Sequence, residues 1–174
     1  MQLYLIRHPP PEVAAGICYG RTDLALAADV GAVAMEIARR LPPGIPVFSS
    51  PLRRCRELAM ALDPAPRIDA RLVEMDFGEW EMTPWEGIQR TALEGWAADP
   101  LGYRPPGGES VAELRARVRD FIAAARREGI ARAALVTHAG VMKTLVGEVR
   151  ALPERQWMAL SFDYAGVVRI ELPG

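Results

Sequence analysis

The sequence predicts a three-layer α/β/α sandwich with a mostly parallel sheet and an antiparallel edge at its C-terminal end. Three observations predict it. Leu3-Tyr4-Leu5-Ile6 and Ala134-Leu135-Val136-Thr137 are continuous apolar runs of the kind that form strands buried on both faces. Both runs end on a histidine, His8 and His138, the only two in the chain. Between the strands lie segments of helical periodicity, which implies right-handed crossovers and helices on both faces of the sheet. A chain of 174 residues with 50% hydrophobic content is sized for one domain, expected to span residues 1–174, with a full core.

The first strand stops on Arg7-His8-Pro9-Pro10-Pro11, because proline cannot continue a central strand. Residues 9–26 are rich in Pro, Gly, Asp and Thr and read as a long loop leaving that strand end, a position where long loops are often functional. Val30, Val33, Ile37 and Leu41 recur at helical spacing from about Ala28 to Leu41, and Pro42-Pro43-Gly44 ends the helix. A short strand, Val47-Phe48, precedes Ser49-Ser50-Pro51, a cap-like start for a helix with Leu52, Cys55, Leu58, Ala59 and Leu62 on its apolar face. Pro64 to Pro66 breaks it.

Arg67 to Leu72 then reads as extended, leading into an acidic and aromatic loop, Glu74 to Glu81. Pro84 to Ala98 is expected as one helix carrying Trp85, Ile88, Leu93 and Trp96, followed by the turn Pro105-Pro106-Gly107-Gly108. Val111, Leu114, Val118, Phe121 and Ile122 form a strong amphipathic pattern that Gly129 stops. After the second histidine-bearing strand, Val141 to Val149 continues as a helix. Met158 to Leu172 is read as two strands around Tyr164-Ala165-Gly166.

A formal net charge of -1 gives no global reason to expect nucleic acid or an anionic membrane, so any bound anion must be met locally. Two cysteines are too few for a disulfide framework, and no run of about 18 or more apolar residues is available to cross a bilayer. The first strand starts within a few residues of Met1, so a preceding signal peptide is not expected. A soluble, cytoplasmic protein follows as the expectation.

In open α/β sheets ligands bind beyond the carboxyl ends of the strands, so two strands ending in histidine suggest one shared site. A neutral imidazole is available as a nucleophile at neutral pH, which makes His8 the first candidate. Arg7 joins it only if the chain turns, since strand neighbours point to opposite sides. His138 precedes Ala139-Gly140 and a helix, where free backbone N–H groups and the helix dipole favour an anion. The absence of a flanking His or Cys cluster makes a zinc site improbable, so neither metal nor cofactor is expected.

Arg54, one turn into the second helix, lies at the same sheet edge, and its planar fork can grip two phosphate oxygens. Arg53 and Arg56 are expected to point elsewhere. Glu74 precedes an apolar, aromatic segment, where partial burial favours a carboxyl that keeps a proton for a leaving group. Asp76, Glu79 and Glu81 compete for that role. Arg21, Arg104 and the tryptophans are candidates for a leaving-group pocket, although core packing is the plainer reading for Trp85 and Trp96.

With these pieces in view, the chain resembles the histidine phosphatase superfamily, the phosphoglycerate mutase-like enzymes. Arg7-His8 is similar to that family's Arg-His-Gly motif, and Ser49 to Arg54 to its Ser-Pro-Leu-x-Arg segment. Leu72 to Gly78 resembles its Leu-x-Glu-x-x-x-Gly segment, and Val136 to Gly140 its second histidine motif. The resemblance implies a phosphoglycerate mutase-like fold and a metal-independent phosphoryl transfer. His8 would attack phosphorus, while Arg7, Arg54 and His138 hold its oxygens and Glu74 protonates the leaving alcohol. It also selects Arg54 over Arg53.

Pro9 departs from the family's glycine after the first histidine, Ala14 and Ala15 stand where a polar residue is common, and Ala139 replaces a common glycine. Cys18 to Leu24 and Pro105 to Ser110 most resemble the α-ribazole phosphatase and broad-specificity branch. A phosphomonoester hydrolase, with α-ribazole 5'-phosphate as the candidate substrate, is the expected function. A phosphoglycerate-type mutase and a non-catalytic phosphoryl-binding module are the alternatives.

Overall fold

The structure is a computed structural model and describes residues 1–173. Its sheet has five strands in the order β3-β2-β4-β1-β5. Strands β1 (Gln2–Arg7), β4 (Arg132–Thr137), β2 (Val47–Ser49) and β3 (Arg67–Ile68) run parallel, and β5 (Val167–Glu171) adds an antiparallel edge on β1. The mostly parallel sheet with an antiparallel edge is therefore as expected. In the β1–β4 register Leu5 pairs with Leu135 and Arg7 with Thr137, so the residues that follow, His8 and His138, leave the sheet side by side.

Strand alternation divides the sheet between two cores. Leu3, Leu5, Phe48, Ala133 and Leu135 face α4 (Val111–Arg127) and α5 (Ala139–Val149), where Leu114, Phe121 and Met142 pack against them. Ile6, Val47, Ala134 and Val136 face α1 (Gly31–Ala38) and α2 (Arg53–Leu62), meeting Ile37 and Leu58. Burying each large aliphatic side chain of this kind contributes roughly 1.5–3 kcal/mol. Helix α4 starts on a full capping box: the Ser110 hydroxyl accepts from the Glu113 N–H while the Glu113 carboxylate accepts from the Ser110 N–H. Gly129, at φ 74°, terminates it.

Four expected segments differ. The Pro84–Ala98 helix is split into a 3₁₀ turn, Trp85–Gly87, and α3 (Arg90–Ala98), with Ile88 and Gln89 in extended backbone between them. The break lets Ile88 bury its side chain against Cys18 and Trp80. Met158–Leu172 supplies one strand rather than two, because Glu154–Ala159 winds as 3₁₀ helix and seats Trp157 in the core. Beyond Ile68 the extended segment also turns 3₁₀, as the Asp69 carboxylate accepts from the Arg71 N–H. Helix α1 is shorter than its pattern and covers Gly31–Ala38.

Candidate active site

His8 is buried where β1 ends. Its Nδ1 lies 2.6 Å from the Pro9 carbonyl oxygen. A carbonyl can only accept, so this bond puts the proton on Nδ1 and leaves Nε2 with its lone pair. Burial, assisted by the charges of Arg54 and Arg7 and opposed by the Pro9 bond, brings the His8 pKa down to about 3. The ring is thus a neutral base of fixed tautomer, in the protonation state a nucleophile needs.

The His138 ring lies 5.1 Å from that of His8, centroid to centroid, and is completely buried. Its Nε2 is 2.8 Å from the Ser50 hydroxyl and 3.4 Å from Cys55 Sγ. The serine pair read as a helix cap serves this contact instead: α2 has no side-chain cap, and the Ser50 hydroxyl stands between His138 and the Leu52 N–H. Burial, and after it Arg54, hold His138 well below the ordinary histidine range. An anion seated beside the arginines would reverse their part of that effect.

The proline turn brings Arg7 to the same side as His8: both line one cavity. Arg7 Nη1 donates to the Phe162 carbonyl at 2.7 Å, and its guanidinium sits 3.8 Å from the centre of the Tyr164 ring. Arg54, fully buried, donates from Nη1 to the Thr22 carbonyl at 2.7 Å and from Nη2 to the Gly20 carbonyl at 2.5 Å. Among the described residues, three buried side-chain nitrogens lack a hydrogen-bond partner: Nε of Arg7, Nε of Arg54 and Nε1 of Trp96. Unpaired buried donors are costly, and two of the three belong to guanidiniums beside the histidine pair. Arg53, by contrast, is exposed and pairs with Glu57.

The loop that holds Arg54 has its own organiser, which the sequence reading placed only among rivals for the acid. Glu81 accepts from the N–H groups of Gly20, Arg21, Thr22 and Phe77 and from the Thr22 hydroxyl. Burial works against its ionisation, but these bonds, the Thr22 hydroxyl foremost, hold its pKa below the usual carboxylate value. Asp76 is likewise engaged, accepting from the Gly78 N–H.

Glu74 is the acidic side chain that lines the cavity, next to Arg7 and His8. Its Oε1 accepts from the Met75 N–H at 2.9 Å and its Oε2 from the Gly140 N–H at 3.0 Å, in the first turn of α5. Arg117 fixes the segment from behind by donating to the carbonyls of Arg71, Val73 and Glu74. Lys143, which sequence reasoning missed, lies one turn further along α5 on the same wall. Its Nζ donates to the Met158 carbonyl, and burial lowers its pKa despite the nearby Glu74 charge. The i+4 spacing from Ala139 was the available clue.

The cavity measures about 600 Å³. Among the described residues its wall includes Arg7, His8 and Glu74, while Arg54 and His138 are fully buried a layer deeper. Neither Arg21 nor Arg104 reaches it: Arg21 lies 3.5 Å from Asp76 and 3.7 Å from Glu109, and Arg104 is tied to Glu113 at 2.5 Å. Trp85 and Trp96 do line it, and stack at 6.0 Å and 13° as part of a cluster with Phe77, so packing and lining are not exclusive. Among the described residues no His, Cys, Asp or Glu cluster suited to a metal occurs, and no helix is long and apolar enough to cross a membrane.

The mostly parallel α/β sandwich carries two facing histidines and two guanidiniums at its carboxyl edge, and the proteins it resembles make the chain an enzyme of the phosphatase class. The chain belongs to the histidine phosphatase superfamily, branch 1, whose family model matches residues 3–174. A Hydrogenobacter thermophilus protein whose name assigns it provisionally to the phosphoserine phosphatases is 28% identical over 184 residues, spanning 99% of this chain and 90% of its own. The adenosylcobalamin/alpha-ribazole phosphatase of Salmonella typhimurium LT2 is 28% identical over 166 residues, 88% of this chain and 81% of its own. A mycobacterial glucosyl-3-phosphoglycerate phosphatase superposes with a TM-score of 0.82 at 26% identity, covering 97% of this chain and 88% of its own.

Proposed function

We propose that the protein is a metal-independent phosphomonoester hydrolase working through a phosphohistidine on His8. The observation that carries this reading is the His8–Pro9 bond at 2.6 Å, which presents a neutral Nε2 beside two guanidiniums with unpaired Nε donors. Nε2 attacks phosphorus in line with the leaving oxygen. Arg7, Arg54 and His138 meet the charge that spreads over the equatorial oxygens, where fixed donors contribute most. Glu74 gives its proton to the departing alcohol and takes one back from the water that hydrolyses the phosphohistidine. No cofactor enters this scheme.

The substrate is a small-molecule phosphomonoester, and α-ribazole 5'-phosphate is the specific candidate. Two similarities support it: the Cys18 to Leu24 and Pro105 to Ser110 stretches, and the named Salmonella relative. Hydrolysis of p-nitrophenyl phosphate in EDTA tests the mechanism. Wild type is expected to stay active and to form an acid-labile phosphoenzyme, and His8→Ala to lose both. Full activity in His8→Ala, or abolition by EDTA, overturns the reading, as does phosphate binding without turnover of any ester.

A further inference from the structure

The cavity beyond His8 is walled mainly by apolar side chains, among them Val13, Ile17, Phe77, Trp85, Trp96 and Trp157. Its charged lining is short: Arg7 beside the nucleophile, Glu74, and Lys143. Lys143 is already held by the Met158 carbonyl, to which its Nζ donates at 2.8 Å. Arg21 and Arg104, cations of nearby loops, are held away by Asp76, Glu109 and Glu113. A second anion on a substrate would therefore lose its water against a wall that offers, among the described residues and beyond Arg7 at the phosphoryl end, one lysine already held by a carbonyl, and burying a poorly paired carboxylate is strongly unfavourable.

Shape leads to the same chemistry. At about 600 Å³ the space exceeds what a phosphoryl group and a three-carbon alcohol occupy. The stacked Trp85–Trp96 pair, met edge-on by Phe77, gives one part of the wall an extended aromatic surface. Such surfaces recognise flat apolar rings by burial and stacking rather than by charge.

Building on the phosphohydrolase reading, we infer that the leaving group is an uncharged, ring-bearing alcohol seated against Trp85 and Trp96, and that phosphomonoesters of carboxylated alcohols are rejected. The selection is made by the apolar wall and by the scarcity of cations on it, while the phosphoryl end is common to all substrates.

Four alkyl esters test this without large differences in leaving-group acidity: naphthylethyl phosphate, ethyl phosphate, O-phosphoserine and 3-phosphoglycerate. For the wild-type protein, kcat/KM for naphthylethyl phosphate is expected to exceed that for ethyl phosphate roughly 100-fold, with the two carboxylated esters at or below ethyl phosphate. Trp96→Ala should shrink the naphthylethyl-to-ethyl ratio about tenfold. Should that variant fail to fold, competitive inhibition of the wild type by naphthylethyl phosphonate against ethyl phosphonate reads the same preference. Equal or better turnover of O-phosphoserine or 3-phosphoglycerate overturns the inference while leaving the hydrolase reading intact. If none of the esters is hydrolysed, the hydrolase reading falls instead, and the phosphonate comparison decides the character of the chamber by itself.

Discussion

The hydroxyls of Tyr19 and Tyr164 meet at 2.7 Å, and each ring rests against a different arginine of the site. Arg7 lies 3.8 Å from the Tyr164 ring centre and Arg54 lies 5.4 Å from that of Tyr19. Burial, and after it the bond to Tyr164, raises the Tyr19 pKa, so Tyr19 stays phenolic and adds no negative charge beside the guanidiniums. One tyrosine comes from the loop after β1 and the other from the loop before β5, so the contact ties together two segments far apart in the chain.

Tyr164→Leu removes both the bridge and the ring beneath Arg7. A cation over an aromatic face is worth about 0.5–2 kcal/mol, so KM for p-nitrophenyl phosphate should rise about tenfold. Steady-state kinetics checks this, with Tyr19→Phe, which loses only the hydroxyl, expected to show a smaller rise. An unchanged KM in Tyr164→Leu would show that the ring does not position Arg7.

Gly140 allows the carboxylate of Glu74 to come close to α5. A Cβ at residue 140 would stand 2.1 Å from Glu74 Oε1 and 3.1 Å from its Cδ. Gly140→Ala should therefore displace the proposed acid and reduce kcat/KM for an alkyl phosphate, which reports the phosphoryl-transfer step alone, by roughly 100-fold or more. The kcat/KM for p-nitrophenyl phosphate should suffer much less, because nitrophenolate departs without a proton. Equal losses on both esters would argue that Glu74 does not protonate the leaving group.

Both imidazoles resist protonation in the fold, His8 down to about 3. The unfolded chain takes up those protons near pH ~6.5. Below that value the unfolded state binds more protons than the native one, so this contribution to stability is complete above about pH 6.5 and is lost as pH falls toward 3. The slope approaches about 1.4 kcal/mol per pH unit for each histidine. Urea unfolding at a series of pH values measures it, and His138→Gln should flatten the slope by about half. A slope unchanged by that substitution would assign the acid sensitivity to other groups.

Much of the sheet was legible because continuous apolar runs and prolines mark buried strands and their ends regardless of context. The residues brought together at the sheet edge were legible for the same reason, as His8 and His138 each close such a run. What escaped depends on contacts between distant segments. The Pro84–Ala98 pattern is helical in periodicity, yet Ile88 finds a better burial by interrupting it. Glu81 reads as one more acid in an acidic loop, and only the fold shows it gathering the N–H groups of residues 20–22 that present carbonyls to Arg54. Arg21 and Arg104 looked available for ligand because a sequence does not reveal which carboxylates will claim them.

Pro9 stands out in the sequence as a departure from the family's glycine, and a proline has no backbone N–H to offer the site. In the fold it is the proline carbonyl that matters, since it selects the tautomer of His8. Every residue type carries a carbonyl, so side-chain replacement at position 9 leaves that acceptor in place, provided the backbone keeps its path. The choice of which imidazole nitrogen faces the substrate is thereby insulated from point mutation. Evolution can vary residue 9 to change the stiffness of the turn, which proline maximises by fixing φ, without erasing the identity of the nucleophilic atom.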